Sequence, residues 1–327
     1  MTDYEPHDTE ARDLLMGNHP LVLGKFLVIT PTINWAYEQI SEQVWLRMPS
    51  VYFQSLSRMG KTQCARAIVA FLREEFPERY VLFLTVDVTG EENIIQTMVK
   101  AMKLETRFKE RLSNLRDAVM NHIICELASS GDTHFILVVD EMQSLSYKDL
   151  QHLQVIQNRL SLSEVQLTTI GFAQEQIKGL ITSLHKGRHM ALLGRFFSRK
   201  VEFVGCTSVD WLKETLSAFD QDMIYPRGSG CSYTRFFLPK AFDSGFRLNS
   251  LADLIFNESM SNIKSVGASL IPTENMFMAL AYLLIGTRDD DAEGFKITKD
   301  HVIKAIMKSD MQQISALMGD KLPIGFD

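Results

Sequence analysis

The chain has 327 residues, of which 46% are hydrophobic and 23% charged, and its formal net charge is −6. These values are typical of a soluble globular protein with one large domain or two coupled ones, and no apolar run approaches the ~18 residues that span a membrane. The acidic start is unlike a secretory signal and the four cysteines form no CxxC pair, which argues against secretion, a disulfide framework and a zinc site and predicts a cytoplasmic protein. The negative total charge does not favour nucleic-acid binding, but the local surface decides that question.

The first thirty residues contain a short amphipathic helix, predicted at about 8–16, and then the apolar, loop-like run LVLGKFLVI. A second helix is predicted to begin at Thr30-Pro31, with Thr30 as its N-cap and Pro31 at the first helical position. Thr32 could cap this helix instead. We therefore interpret residues 1–29 as an N-terminal extension.

The stretch Val51–Ala67, VYFQSLSRMGKTQCARA, is nearly a phosphate-binding loop. A short β-type run enters the turn and a helix predicted over Gln63–Glu75 leaves it, which is the context that the GxxxxGK[ST] motif requires. Gly60 would let the backbone approach a phosphate, and the loop amides would form a nest at the helix N-terminus. One letter departs from the motif, because Ser55 stands where the first glycine is expected. If φ were positive there, the serine would cost on the order of 1 kcal/mol.

The loop predicts a site for ATP and Mg²⁺. Lys61 would reach the β- and γ-phosphates, and the Thr62 hydroxyl would ligate the metal ion. The residues predicted to bind the nucleotide in this loop are Ser57, Arg58, Met59, Gly60, Lys61, Thr62 and Gln63.

Strands alternate with helices as far as Val204, which predicts a parallel sheet with helices on both faces. The later strands are predicted at Tyr80–Val88, Thr133–Asp140, Val165–Phe172 and Val201–Val204. The helices between them are predicted at about Glu92–Met102, Phe108–Ser129, Lys148–Arg159 and within 174–198. From Val209 onward only helices are predicted, at about 209–221, 234–242, 247–262, 273–284 and 298–308. A Gly/Pro/Ser stretch at 225–230 marks a boundary, so the predicted domains are 1–29, an α/β core at 30–224 and a helical lid at 225–327.

Two carboxylates, Asp140 and Glu141, follow five apolar residues at the end of the third strand. This is the Walker B pattern, in which Asp140 would hold Mg²⁺ and Glu141 would polarise the attacking water as a general base. The order of the motifs suits an ATPase that has an extra strand between the phosphate-loop strand and the Walker B strand. A strand that merely ends in two solvated acids is the alternative, and the phosphate-binding loop in the expected order argues against it.

The strand LTTIGFAQ should lie beside the phosphate-loop strand, and a polar residue at its tip could sense the γ-phosphate. Gln174 is the first choice and Thr169 the second, although Thr169 could equally be an ordinary strand residue. Gln143 or Ser144 could assist near the acids or could belong to the loop surface.

Three arginines follow in the order that a shared nucleotide site would need. Arg195 or Arg199, just before the last strand, could project into the nucleotide of a neighbouring subunit and stabilise the transferring phosphoryl group. A surface salt bridge is the alternative for each. Arg247, in Ser244-Gly245-Phe246-Arg247-Leu248, opens a helix of the lid and could reach back over the nucleotide.

Together these motifs resemble the AAA+ ATPases over about residues 30–265. Asp140-Glu141-Met142-Gln143 is similar to the DExQ/DExH Walker B of the TnsC/TniB-type regulators of cut-and-paste transposons, and the compact chain is most like TnsC of CRISPR-associated transposons. The resemblance implies a five-stranded parallel sheet with the phosphate-loop strand central, helices on both faces and a C-terminal helical lid. It assigns ATP hydrolysis to Lys61, Thr62, Asp140 and Glu141, the sensor-2 role to Arg247 and the finger to Arg195 or Arg199.

The same resemblance implies a bacterial, DNA-associated protein that oligomerises around duplex DNA, with six or seven subunits per ring or turn. Such proteins couple a target-selecting adaptor or CRISPR effector complex to transposase subunits. DNA would touch the segment after the second strand, where four basic residues lie: Lys103, Arg107, Lys109 and Arg111. Contacts of this kind hold phosphates without reading sequence. A solvated helix face is the simpler interpretation of these charges.

Two other functions stay open from the sequence. The first is another AAA+ machine, such as a replication initiator or a secretion-associated ATPase. An initiator usually brings a winged-helix or helix-turn-helix domain, for which residues 265–327 are short. The second is a nucleotide-gated scaffold that hydrolyses little ATP.

Overall fold

The computed structural model describes residues 4–107 and 109–319. Contacts group these residues into two units. The helical unit holds the described residues up to Thr32, the segment Ser57–Gly60 and the described residues from Val204 onward. The sheet unit holds Ile33–Leu56 and Lys61–Phe203. The predicted domain division at 29/30 and 224/225 stays a prediction.

Five strands form one parallel sheet in the order β2-β3-β4-β1-β5. The strands are β1 Ser50–Ser55, β2 Tyr80–Thr85, β3 His134–Asp140, β4 Gln166–Gln174 and β5 Lys200–Glu202. The predicted extra strand is β4, which pairs with β1 on one side and β3 on the other. The phosphate-loop strand β1 is fourth of five, so the implied central position was wrong, although β1 is an interior strand.

Helices flank this sheet, and helices are the main regular elements of the described residues after β5, which confirms the predicted fold class. The described helices are α1 Thr9–Met16, α2 Pro31–Trp45, α3 Lys61–Glu75, α4 Ile94–Ala101, α5 Leu112–Ser130, α6 Tyr147–Leu162, α7 Ile177–Lys186, α8 Met190–Phe196, α9 Val209–Gln221, α10 Tyr233–Phe237, α11 Pro239–Asp243, α12 Ala252–Lys264, α13 Thr273–Thr287, α14 Lys299–Lys308 and α15 Met311–Gly319. Short 3₁₀ turns lie at Met142–Ser144, Leu248–Leu251 and Arg288–Asp290. None of the helices within 4–107 and 109–319 is long and apolar enough to cross a bilayer.

Polar side chains and proline explain where the predicted boundaries fail. Strand β2 stops at Thr85, short of Val88, because the Asp87 carboxylate accepts hydrogen bonds from the main-chain N–H groups of the following turn. The helix predicted at 234–242 is two helices, since Pro239 disfavours helical backbone at the residue before it, Leu238. Phe108, the predicted start of α5, lies outside the described residues.

The core of the sheet unit follows from the apolar strands. All seven residues of β3 are buried, as expected for an interior strand of a parallel sheet whose two faces are both covered. Helices α4, α5 and α6 contribute Ile95, Ile123 and Ile156 to the same cluster. The carboxyl ends of β1, β3 and β4 are therefore supported by a well-packed core.

Residues 4–29 pack into the core of the helical unit. Leu21 and Val28 are 3% and 5% exposed and belong to the cluster that α9 and α13 build. The Tyr225 hydroxyl donates to the carbonyl of Leu15 at 3.1 Å. His19 is fully buried, 4.4 to 4.7 Å from four aromatic rings, and burial lowers its pKa to about 3. The N-terminal segment is thus an integral part of this unit.

Candidate active site

The loop between β1 and α3 carries its unusual backbone at two positions. Arg58 has φ 59° and Gly60 has φ 91°, both in the left-handed region. Ser55 is the last residue of β1, pairs with Gln174 and has no positive φ. The strain considered for Ser55 is therefore absent, and the left-handed cost falls on Arg58 instead.

The Lys61 ammonium is bonded to the loop itself. Its Nζ donates to the carbonyl oxygen of Leu56 at 2.6 Å and to the Ser55 hydroxyl at 3.1 Å. Lys61 is only 6% exposed, and burial lowers its pKa, while the charges of Glu141 and Asp140 act in the opposite direction. Ser55 thus supplies an acceptor that the glycine of the motif could not offer.

Asp140 ends β3 and is 1% exposed. Burial raises the pKa of its carboxyl, whereas the Thr62 hydroxyl, within hydrogen-bonding reach, lowers it. A carboxylate and a hydroxyl are oxygen donors, the ligands that Mg²⁺ takes in proteins. The residues predicted to hold the metal ion therefore fit it in type and in proximity.

Glu141 lies in a closed set of hydrogen bonds with two amide side chains. Its Oε2 accepts from Gln174 Nε2 at 3.1 Å and from Gln143 Nε2, and the Gln174 N–H donates to Gln143 Oε1 at 2.9 Å. Glu141 also has a left-handed backbone, φ 57°. The strand tip thus brings Gln174 to the predicted general base. Thr169 pairs with Ser50 at the opposite end of β1 and lies away from this site.

The two candidate finger arginines lie where the strands begin. Arg195 is in α8 and donates to Gln157 Oε1 at 2.9 Å. Arg199 directly precedes β5 and donates to Gln39 Oε1 at 2.6 Å, with Glu42 3.8 Å away. The phosphate loop and Asp140 lie at the other edge, where the parallel strands end. Neither arginine lies at the phosphate loop of its own sheet.

Arg247 is held by its own segment of the helical unit. Its Nη1 donates to the carbonyls of Phe242 and Phe246 at 2.8 and 2.6 Å, and its guanidinium lies 3.7 Å from the centre of the Phe242 ring. The buried Asp220 carboxylate accepts from the N–H groups of Leu248 and Asn249 just after it. A sensor-2 role for Arg247 stays a prediction.

The basic segment lies between α4 and α5. Lys103, Arg107, Lys109 and Arg111 are all exposed, and the first and third have left-handed backbone. The Arg107 N–H donates to the Glu110 carboxylate at 3.1 Å. These charges thus sit on a connecting loop and a helix start, rather than along the face of a helix.

Comparison with known proteins agrees with this geometry. Residues 55–180 match the AAA domain family, a span that includes Lys61, both acids and Gln174. No curated protein matches the sequence.

Solved structures are similar over most of the chain. ORC1 from Aeropyrum pernix in complex with DNA has a TM-score of 0.53 and 12% identity, covering 88% of this chain and 68% of that one. Drosophila ORC bound to DNA has a TM-score of 0.52 and 11% identity, covering 89% and 69%. Domain III of the replication initiation protein DnaA from Thermotoga maritima has a TM-score of 0.46 and 13% identity, covering 86% and 94%. The two higher similarities show that the fold is that of the AAA+ P-loop NTPases.

Proposed function

We propose that this protein is a Mg²⁺-dependent ATPase that assembles on duplex DNA and regulates DNA transposition. The observation that carries the ATPase is the meeting of four groups on one edge of the sheet. Lys61 lies within electrostatic range of both Asp140 and Glu141, and Thr62 lies within hydrogen-bonding reach of Asp140. An ordinary strand end would not place a buried lysine and two acids together in this way.

Each of these residues has a part in hydrolysis. Lys61 would exchange the Leu56 carbonyl and the Ser55 hydroxyl for phosphate oxygens of ATP. Thr62 and Asp140 would hold Mg²⁺, which when bound neutralises charge on the phosphates. Glu141 would accept a proton from water as that water's oxygen bonds to the γ-phosphorus and the bond to ADP breaks.

Gln143 and Gln174 would control Glu141. Both amides donate to the same carboxylate oxygen, so that oxygen is occupied and does not face an attacking water. A γ-phosphate oxygen that accepts from Gln174 would free the carboxylate for water. In this way Gln174 would report the presence of ATP to the general base.

A nucleotide-gated scaffold is the second candidate, and the same triangle of side chains favours it. If the amides never release Glu141, the site binds ATP but hydrolyses it slowly. Phosphate release from Glu141→Gln separates the two functions. In an ATPase this substitution removes most of the turnover. In a scaffold the rate of phosphate release changes little, because the native rate is already low.

The role on DNA is supported by the basic segment and by the likeness of Asp140-Glu141-Met142-Gln143 to the TnsC/TniB group. The two solved structures with the higher TM-scores above are of proteins bound to DNA, at an identity that carries the fold alone. Sedimentation with duplex DNA in ATP and in ADP tests assembly, and a protein that stays monomeric with ATP and DNA overturns the proposal. Target-selecting and transposase partners would bind to that assembly.

DNA contacts are testable through salt dependence. Replacing Lys103 and Arg107 by glutamine should lower affinity for all duplexes and reduce the slope of log K against log salt by up to about 2, roughly 0.9 for each lost phosphate contact. The control replaces Lys264 in α12 and Lys308 in α14 by glutamine, which removes the same two charges elsewhere. An unchanged slope would remove this segment from the DNA surface.

A further inference from the structure

The crest of the phosphate loop, Ser57–Gly60, contacts the first turn of α13. The Glu274 N–H donates to the carbonyl of Arg58 at 3.1 Å, and the Glu274 carboxylate lies 3.2 Å from Arg58 Nη1. Arg58 is thus held by both its main chain and its side chain. Arg58 also has left-handed backbone although it is not a glycine, the residue that adopts this conformation readily.

This contact fixes the direction of one peptide group in the loop. In a trans peptide the C=O and the following N–H point in opposite directions. Because the Arg58 carbonyl points to Glu274, the Met59 N–H points away from α13. A phosphate nest needs its N–H groups turned in one direction, so fixing this peptide limits the direction of one of these groups before nucleotide arrives.

Thr273 completes the contact from the preceding position. It is 4% exposed, and its hydroxyl has no hydrogen-bond partner among the described residues. A Cβ on Gly205 would lie 1.8 Å from Thr273 Oγ1, and a Cβ on Gly60 would lie 3.8 Å from Thr273 Cγ2. Gly205 is therefore required by the closeness of Thr273, since its own backbone has no positive φ.

We infer that Thr273 and Glu274 are positioning residues for the triphosphate of the nucleotide, acting through Arg58 and Gly60. The inference deepens the proposed function and rests on it. The α13 turn selects the loop conformation that receives phosphate, so changes in α13 alter nucleotide affinity without touching the ligand. We expect changes in α13 to raise KM and Kd and to leave kcat nearly the same, because the proton transfer at Glu141 sets kcat.

The first test measures the Kd for MgATP by calorimetry in a double-mutant cycle of Arg58→Ala and Glu274→Ala. Both side chains are about half exposed, so we expect each single variant to bind about two- to fivefold more weakly. The double variant should be no weaker than the weaker single variant, because the two changes break one interaction. Glu274→Gln should lie between Glu274→Ala and the native protein. Additive losses, or an unchanged Kd in Glu274→Ala, would overturn the inference.

The second test uses Gly205→Ala, which displaces Thr273 and leaves the amino-acid sequence of the loop unchanged. We expect about a tenfold rise in Kd and KM with kcat within twofold, a split that general destabilisation would not produce. Thr273→Ala should partly restore binding in Gly205→Ala, because it removes the clashing oxygen and leaves the Thr273 Cβ at 3.2 Å. Gly179→Ala, at a position with nothing within 4 Å, is the matched control and should bind as the native protein does.

Hydrogen exchange distinguishes a failure of this inference from a failure of the proposed function. Without nucleotide, the amides of 57–60 should exchange several-fold faster in Glu274→Ala than in the native protein. If the native chain binds no ATP, the proposed function fails, and exchange still tests the positioning. Equal exchange in the two proteins would overturn the inference while leaving ATP binding intact.

Discussion

Restoring the glycine of the phosphate-loop motif should lower the stability of the folded protein. In Ser55→Gly the loop gains the consensus letter, and the motif alone would predict a better loop. The structure predicts a lower free energy of unfolding for Ser55→Gly, because Ser55 is a strand residue without positive φ and gains nothing from a glycine's freedom. Its hydroxyl is one of two acceptors for the buried Lys61 ammonium.

The expected loss has two parts. A hydrogen bond to a charged group contributes about 1.5 to 3 kcal/mol when its removal leaves a buried group short of a partner. Lys61 keeps the Leu56 carbonyl, so the lower end, about 1.5 kcal/mol, applies. Glycine inside a strand adds about 0.5 to 1 kcal/mol of conformational entropy. Ser55→Ala should therefore lose about 1.5 kcal/mol, and Ser55→Gly about 2 to 2.5 kcal/mol.

Urea unfolding of the nucleotide-free protein measures both variants. The affinity for MgATP, measured by calorimetry, should rise in the same variants. Lys61 must leave the Ser55 hydroxyl to meet phosphate, and without that hydrogen bond nothing is lost in the exchange. About 1.4 kcal/mol corresponds to tenfold, so Ser55→Ala should bind roughly tenfold tighter. A Ser55→Gly protein that is more stable than the native one would refute the reasoning about Ser55.

The other predictions concern the base, the core and pH. Glu141→Gln should lower phosphate release by about 10² to 10⁴ while retaining MgATP in equilibrium binding; undiminished turnover would remove Glu141 from the general-base role. Leu21→Ala should cost about 2 to 5 kcal/mol in urea unfolding because Leu21 is 3% exposed, whereas Leu14→Ala, at 82% exposure, should stay within about 0.5 kcal/mol; equal losses would contradict the burial of the N-terminal segment. The pKa of His19 falls from 6.5 unfolded to about 3 folded, so the unfolded chain binds the extra proton and stability falls as pH drops from about 6.5 towards 3. His19→Phe should reduce that slope by about 1.4 kcal/mol per pH unit in urea unfolding at pH 4 to 6, and an unchanged slope would contradict the burial of a neutral imidazole.

Apolar runs and motif spacing were sufficient to predict most of the sheet. The run FILVVD predicted a buried strand, as β3 is, and β4 lies where the order of the motifs suited an extra strand. Element limits failed where a single side chain outweighed periodicity, as at Asp87 and Pro239. The tail helix α15 was not predicted, since its nine residues are too short for a long apolar period.

Some features of the candidate site could also be predicted from local sequence patterns, and others could not. Lys61, Thr62, Asp140 and Glu141 stand at fixed distances along the sequence from recognisable strands, so local pattern was enough to place them. The hydrogen bonds of Gln174 and Gln143 to Glu141 depend on strand register, which no local pattern states. The left-handed backbone at Arg58 lies in a loop that contacts α13, more than two hundred residues further along the chain, and no local pattern states that contact.

The location of the two candidate arginines has a consequence for any assembly of this chain. Arg195 and Arg199 lie at the edge where the strands start, and Lys61 lies at the edge where they stop. Two copies that share a nucleotide must therefore join unlike faces, head to tail, and such a heterologous contact repeats in one direction. A row of copies would have polarity: at one end a subunit would hold ATP with no neighbouring arginine, and at the other an arginine would face solvent. The terminal ATP would then be the last to be hydrolysed, and growth and loss of subunits would differ between the two ends.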